Sequence, residues 1–184
     1  MKLINDYIKY IPASNDPLSA DVFFIEGDKC TYIFDVGNNE QSLAEISKID
    51  KDKVIILSHF HRDHIGNIEK LSYKELYLGS TTYEKVGQGS VVRDSVTIND
   101  GVRIDIMHCP SPHAKGSLIA TVNNEYTFIG DLYYTKPDFD KNLAHMMLLA
   151  LEKIDTKYFV ISHEPKDNII EKQGLLYKLI EYFK

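Results

Sequence analysis

A short apolar run, Val54-Ile-Ile-Leu57, delivers the chain directly into Ser58-His59-Phe60-His61-Arg62-Asp63-His64. Three of the seven histidines and one carboxylate therefore fall within six residues. Packing does not explain that density, because buried imidazole and carboxylate groups need polar partners. A shared cation does. A continuous apolar run of this length reads as a strand buried on both faces, so the histidines begin where a strand ends. Side chains alternate in extended backbone, so His59 and His61 point the same way and can approach one ion. In a helix the same pair would diverge by about 200°. Asp63 and His64 follow where the chain turns towards the next helix, and can serve a neighbouring ion. Strand end, loop, helix start is the setting at the carboxyl edge of a sheet, where α/β sites usually form.

The same setting recurs downstream. His113 follows a strand-like stretch at 104–107, Asp131 follows Tyr126-Thr-Phe-Ile-Gly130, and His163 follows Tyr158-Phe-Val-Ile-Ser162. One such histidine is usually an ordinary surface or core residue. Four arrivals of ligand-type residues at strand ends point to a single centre.

Around these points the chain alternates. Strand-like stretches at 21–26 and 29–35 flank Gly27-Asp28, a hairpin signal. Helical spacing of apolar residues follows at 40–49, then the strand at 54–57, a short helix at 65–71 and a strand at 75–78. The second half reads as strands at 91–98, 102–107, 117–122 and 126–129, a helix at 139–154, a strand at 158–161 and an amphipathic helix at 168–183. In that last helix Leu175, Leu176, Leu179, Ile180 and Phe183 form one stripe. Strands then a helix, twice, predicts two βα halves whose sheets pack face to face with helices outside.

The 184 residues fit a single domain, 1–184, and 43% hydrophobic with 26% charged residues is ordinary for a globular chain. The net charge of −6 and scattered Lys and Arg give no footprint for nucleic acid or an anionic membrane. The expected partner is a small-molecule substrate, and nothing in the pattern specifies an oligomeric state. Cys30 and Cys109 sit in apolar runs as reduced thiols, not as a disulfide framework. Residues 1–11 carry Lys2, Asp6 and Lys9 with no apolar core, so the expectation is no signal peptide, no membrane span and a cytoplasmic location.

With these residues in order, the sequence resembles the metallo-β-lactamase superfamily. The resemblance rests on His-x-His-x-Asp-His at 59–64, His-x-x-Gly-Ser at 113–117, Gly130-Asp131, the last His163, and Phe34-Asp35-Val36-Gly37 as the strand-ending Asp-x-Gly. It implies an α/β chain folded as a four-layer αββα sandwich with the site on one edge. It implies one metal held by His59, His61 and His113, a second by Asp63, His64 and His163, and Asp131 bridging. Two divalent ions are implied as cofactors, Zn²⁺ first, with Fe or Mn also suited to imidazole and carboxylate ligands. Asp35 is read as orienting a loop or a ligand histidine rather than binding metal.

The chemistry so implied is hydrolysis by a metal-bridged hydroxide. Asp63 and Asp131 are the candidate catalytic residues, positioning that hydroxide, and Asp63 can also take and return its proton. The expected substrate carries a small ester-type bond: a thioester, lactone or similar. The alternatives are an iron-dependent enzyme of the persulfide-dioxygenase kind and a phosphodiesterase.

Two departures stand out. Pro112 precedes His113, and Ser162 and Glu164 flank His163, where many relatives have glycine. Glu164 is read as a solvated loop carboxylate. Phe60, Arg62, Lys115, Tyr133, Tyr134 and His145 are candidate lining residues. The tyrosine pair reads first as packing, and His145 as an exposed helical residue. His108 alternates with Ile104 and Ile106, which predicts a structural residue facing the sheet interior.

Overall fold

The structure is a computed structural model that describes residues 1–135, 138–164 and 167–183. Its first nine strands are β1 (Lys2–Leu3), β2 (Ile8–Ile11), β3 (Ser14–Asn15), β4 (Leu18–Ser19), β5 (Val22–Glu26), β6 (Cys30–Phe34), β7 (Asp52–Ile56), β8 (Glu75–Leu78) and β9 (Ser90–Val91). β3 and β4 form a small hairpin; the others make a seven-stranded sheet in the order β1-β2-β5-β6-β7-β8-β9. β10 (Ser95–Asn99), β11 (Arg103–His108), β12 (Leu118–Val122), β13 (Tyr126–Phe128), β14 (Tyr158–Val160) and β15 (Ile169–Glu171) make a second sheet in sequence order. The helices among the described residues are α1 (Glu40–Ser47), α2 (Arg62–Ile65), α3 (Ser80–Val86), α4 (Lys141–Lys153) and α5 (Lys172–Tyr182), with a 3₁₀ turn at Ile68–Lys70. None is long and apolar enough to cross a membrane.

Strand alternation sorts the apolar residues into three layers. Phe23, Ile25, Tyr32, Phe34, Val54 and Ile56 point inward from the first sheet. They meet Ile104, Ile106, Leu118, Ala120, Val122, Phe128 and Val160 of the second. Phe128 anchors this layer, its ring centroid 4.8 Å from that of Phe23 and 5.6 Å from that of Phe34. The intervening residues Val22, Phe24, Ile33 and Ile55 face outward and are covered by Ile46 of α1 and Ile68. On the other side Ile119, Phe159 and Ile161 are covered by Met147 and Leu151 of α4 and Leu175, Leu176 and Leu179 of α5. This is the expected αββα sandwich. Period-two burial on both faces explains why these strands are apolar throughout.

Several local expectations are corrected. Residues 91–98 do not form one strand: β9 closes the first sheet beside β8, the chain crosses over at Val92, Arg93 and Asp94, and β10 opens the second sheet. The final helix begins at Lys172, because Ile169 and Ile170 are used to pair β15 with β14. Ile180, expected on the buried stripe, is exposed. The helix expected at 65–71 begins earlier, at Arg62, and breaks after Ile65 into the 3₁₀ turn. α3 was not anticipated; its Ser80-Thr-Thr-Tyr start favours strand over helix. His108 keeps the parity of Ile104 and Ile106 but is exposed, because it ends β11 at the rim. Parity sets the face a side chain points to, not how far the opposing layer reaches.

Candidate metal centre

β7 runs parallel to β6 and β8, and β13 parallel to β14. The carboxyl ends of these strands carry His59, Asp131 and His163, and the loop between β11 and β12 brings His113 to the same edge as the end of β13. α2 starts with His61 at its cap position and Asp63 in its first turn. One short turn thus separates two donors on extended backbone from two on a helix.

The seven side chains close into two groups. His59, His61 and His113 form one; Asp63, His64, Asp131 and His163 form the other. The potential ligand atoms of each group lie within 4.8 Å of one another. In the first, His61 Nδ1 is 3.0 Å from His59 Nε2 and 3.1 Å from His113 Nε2. In the second, His163 Nε2 is 2.9 Å from Asp63 Oδ2, and His64 Nε2 is 3.2 Å from Asp131 Oδ1. Asp131 sits between the groups: its other oxygen, Oδ2, is 3.7 Å from His113 Nε2.

Buried neighbours fix which ring nitrogens face inward. Asp35 Oδ2 accepts from His64 Nδ1 at 2.7 Å and from Ser58 Oγ at 2.7 Å, while Oδ1 accepts the Ser58 N–H at 2.8 Å. Because the Ser58 hydroxyl donates to Asp35, it accepts from His59 Nδ1, 2.9 Å away. One carboxylate therefore turns Nε2 of both His59 and His64 towards the centre. His113 Nδ1 donates to the Tyr134 carbonyl at 2.6 Å, with the same effect. Gly130 (φ +53°) lets the Asp131 loop lie on this relay; a Cβ there would come 2.8 Å from Ser58 Oγ.

The electrostatics separate the groups. Burial, helped by the nearby His64, lowers the His59 pKa well below the usual imidazole value, and burial with His113 lowers that of His61. Both are neutral donors. Burial opposes charge on His64, but the carboxylates of Asp35 and Asp131 outweigh it and raise its pKa well above the usual value. Burial likewise opposes ionisation of Asp63, yet the hydrogen bond from His163 and the charge on His64 bring its pKa down to about 2. Asp131 is lowered for similar reasons, with His64 its main partner. The second group is a place where positive charge is favoured.

His64 Nε2 and Asp131 Oδ1 are both buried and lie 3.2 Å apart, within ion-pair reach, yet among the described residues neither has a partner in hydrogen-bond geometry. Buried polar atoms are rarely left so. Both belong to a four-residue group that could hold an ion. The donor set, imidazole nitrogens with carboxylates, suits a divalent cation.

Among the candidate lining residues, Phe60 is half-buried with its ring 4.9 Å from that of His61. Arg62 and Lys115 are exposed. Tyr133 packs into the outer core and stacks on Tyr182, whereas the Tyr134 hydroxyl donates to the Ser162 carbonyl and to Glu164. Glu164 is therefore not a freely solvated carboxylate: it is half-buried and lines a cavity of about 200 Å³ with Asp21, Asn15, Tyr10 and His163. His145 is exposed on α4, in a groove with Leu148, Ile180 and Phe183 away from the centre. Sequence reasoning missed Ser58 and Tyr134 as supports for the histidines, and missed Asp21 entirely. Tyr134 acts through a carbonyl that any residue has. Asp21 opens an apolar strand and meets its partner His163 from 142 positions away.

The fold is a four-layer αββα sandwich with two His/Asp groups on its edge that could hold metal ions. The family model described as the metallo-beta-lactamase superfamily matches residues 15–75. The metallo-beta-lactamase fold-containing protein ST1585 of Sulfurisphaera tokodaii is 27% identical over 138 residues, 74% of this chain but 43% of that protein. The chain thus matches less than half the length of this curated relative. The crystal structure of ST1585 from Sulfolobus tokodaii superposes with a TM-score of 0.73 at 20% identity, covering 97% of this chain and 86% of that one. A metallo-beta-lactamase from Pontibacter korlensis gives 0.72 at 16% identity, covering 97% of each chain. A flavo di-iron protein variant from Thermotoga maritima gives 0.71 at 14% identity, covering 96% of this chain and 61% of that one. The chain is thus similar in part of its sequence, and in its fold, to proteins of the metallo-β-lactamase superfamily.

Proposed function

We propose that this chain is a metal-dependent hydrolase of a small ester-type substrate, a thioester, lactone or similar, with a two-ion centre of which zinc is the first candidate occupant. The observation that carries the reading is the buried pair His64 Nε2 and Asp131 Oδ1, without partners in hydrogen-bond geometry among the described residues, within a second donor group set beside the three-histidine group. His59, His61 and His113 would hold one ion and Asp63, His64 and His163 the other, with Asp131, which lies between the groups, contributing to both. Divalent ions held there would acidify a water and polarise a substrate oxygen.

The chain's own groups do the rest. Asp63 is anionic at neutral pH, and its carboxylate stands where it can orient a water and take a proton at Oδ2. Asp131 shares that orienting role from the opposite side. Asp35 and Ser58 keep Nε2 of His59 and His64 facing inward, so no ring has to turn during a cycle. The cavity beside His163, lined by Tyr10, Asn15 and Glu164, has the volume of a small organic group.

The test joins metal analysis to a substrate panel. Protein purified without added metal is expected to carry about two zinc ions and to hydrolyse a thioester or lactone faster than a phosphodiester. Asp63→Ala and His113→Ala should each lower turnover at least 10²-fold, the scale of a lost general base or ligand, with unchanged circular dichroism. Full activity in either variant would reject the ligand set. A second reading has its own support in the likeness to a flavo di-iron protein: an iron enzyme acting on a thiol-derived substrate with oxygen. Iron in the purified protein, with oxygen uptake on a persulfide and no hydrolysis, would establish that reading instead.

A further inference from the structure

Beneath the second donor group lies Ser19-Ala20-Asp21, a segment only 0%, 1% and 2% exposed. It touches that group through the backbone. The Ala20 N–H donates to the Asp63 carbonyl at 3.0 Å. Asp21 Oδ2 accepts the His163 N–H at 2.8 Å and the Ser162 hydroxyl at 3.2 Å, while the Asp21 N–H donates to Ser162 Oγ at 3.1 Å. His163 is held at φ +62°, a left-handed conformation that a non-glycine residue adopts only under constraint. Without an acceptor at Asp21 the His163 N–H would lose its partner, leaving the Ser162 N–H on the Gly130 carbonyl and the Tyr134 hydroxyl on the Ser162 carbonyl to hold only the preceding residue. Among the described residues, no hydrogen bond of this segment reaches His59, His61 or His113.

We propose that Asp21 is a positioning residue for one half of the centre: it fixes His163, and with Ala20 the turn carrying Asp63, so that the second ion depends on it and the first does not. The inference rests on the two-ion reading above. What the second donor group requires of residue 21 is the acceptor oxygen Oδ2, which takes the His163 N–H and the Ser162 O–H; the Asp21 carboxylate also accepts the Ala13 N–H. An asparagine can supply that acceptor and an alanine cannot.

Zinc alone is titrated into metal-free wild type, Asp21→Asn and Asp21→Ala in competition with a coloured chelator. Wild type is expected to bind two equivalents. Asp21→Ala should keep the first affinity and weaken the second by roughly 10–100-fold, the usual effect of removing a group that orients a ligand. Asp21→Asn should restore both. Equal weakening of both sites, or two unchanged sites in Asp21→Ala, would overturn the proposal while leaving the two-ion reading standing. A wild type that binds no second ion removes the two-ion reading and the proposal together. Should Asp21→Ala fail to fold, Ser162→Ala decides: weakening confined to the second site supports the proposal, and unchanged affinities reject it.

Discussion

Asp35 supports this centre from behind its histidines. It is fully buried, sits at φ +60°, and accepts three hydrogen bonds that serve histidines in both donor groups. Removing it leaves Ser58 and His64 buried without their acceptor. Asp35→Ala should therefore lose about 3–5 kcal/mol of stability, the scale of breaking a buried polar pair from one side; urea denaturation of the metal-free protein measures it, and a loss under about 1 kcal/mol would contradict the arrangement. Gly130→Ala tests the relay from another direction. Its Cβ would press on Ser58 Oγ in a left-handed conformation, so a loss of about 1–3 kcal/mol is expected, together with weaker metal binding. At this scale the donors were legible and their supports mostly not. His59, His61, Asp63 and His64 announce themselves by density, and His113, Asp131 and His163 by recurring at strand ends. Asp35 was visible because it too closes a strand. Ser58, Tyr134 and Asp21 were not, because a serine in a histidine run, a backbone carbonyl and an acid heading an apolar strand each have a bland local explanation.

At the scale of elements, alternation carried most of the fold. β5, β6, β7, β12 and β14 were readable as mostly apolar runs because both faces are largely covered. The failures fell where tertiary context overrode local pattern. Val91 to Ile98 looks like one strand, but the chain must change sheets there, and only the contacts of β9 with β8 and β10 with β11 say where. Ile169 and Ile170 fit a helix stripe equally well as a strand; the open edge of β14 decided for the strand. The two sheets are also tied by a polar brace. Asp100, in the β10–β11 turn, accepts from the Lys29 and Cys30 N–H groups and from the Tyr32 hydroxyl in the β5–β6 hairpin. Asp100→Ala should lose about 0.5–1.5 kcal/mol, the net scale of a hydrogen bond near the surface. Burial opposes ionisation of Asp100, but those amide and hydroxyl donors hold its pKa below the usual carboxylate value. A folded pKa below the unfolded one means this stabilisation is present above the usual carboxylate value and is lost as pH falls through the lowered one. Urea midpoints across the acid range should show a shallower acid decline in Asp100→Ala than in wild type; identical slopes would remove the brace.

At the scale of the whole molecule, the donors come from both βα halves: His59, His61, Asp63 and His64 from the first, His113, Asp131 and His163 from the second. Ions bound between them would cross-link the two sheets at one edge. Binding to the folded state alone stabilises by about 2.7 kcal/mol at a free concentration 100 times Kd. For a chain this size that raises Tm by roughly 5–10 °C, so stripping with a chelator should lower Tm by this amount and restoring zinc should recover it. The acidic net charge of −6 and the small cavity beside His163 are consistent with the proposed small-molecule substrate. The central claim is that seven side chains form two ion sites in one centre. The number of divalent ions bound per chain, measured by elemental analysis after zinc loading and desalting, tests it most directly. The account predicts two per wild-type chain and one in His163→Ala; two ions retained in His163→Ala, or fewer than two in wild type, would contradict it.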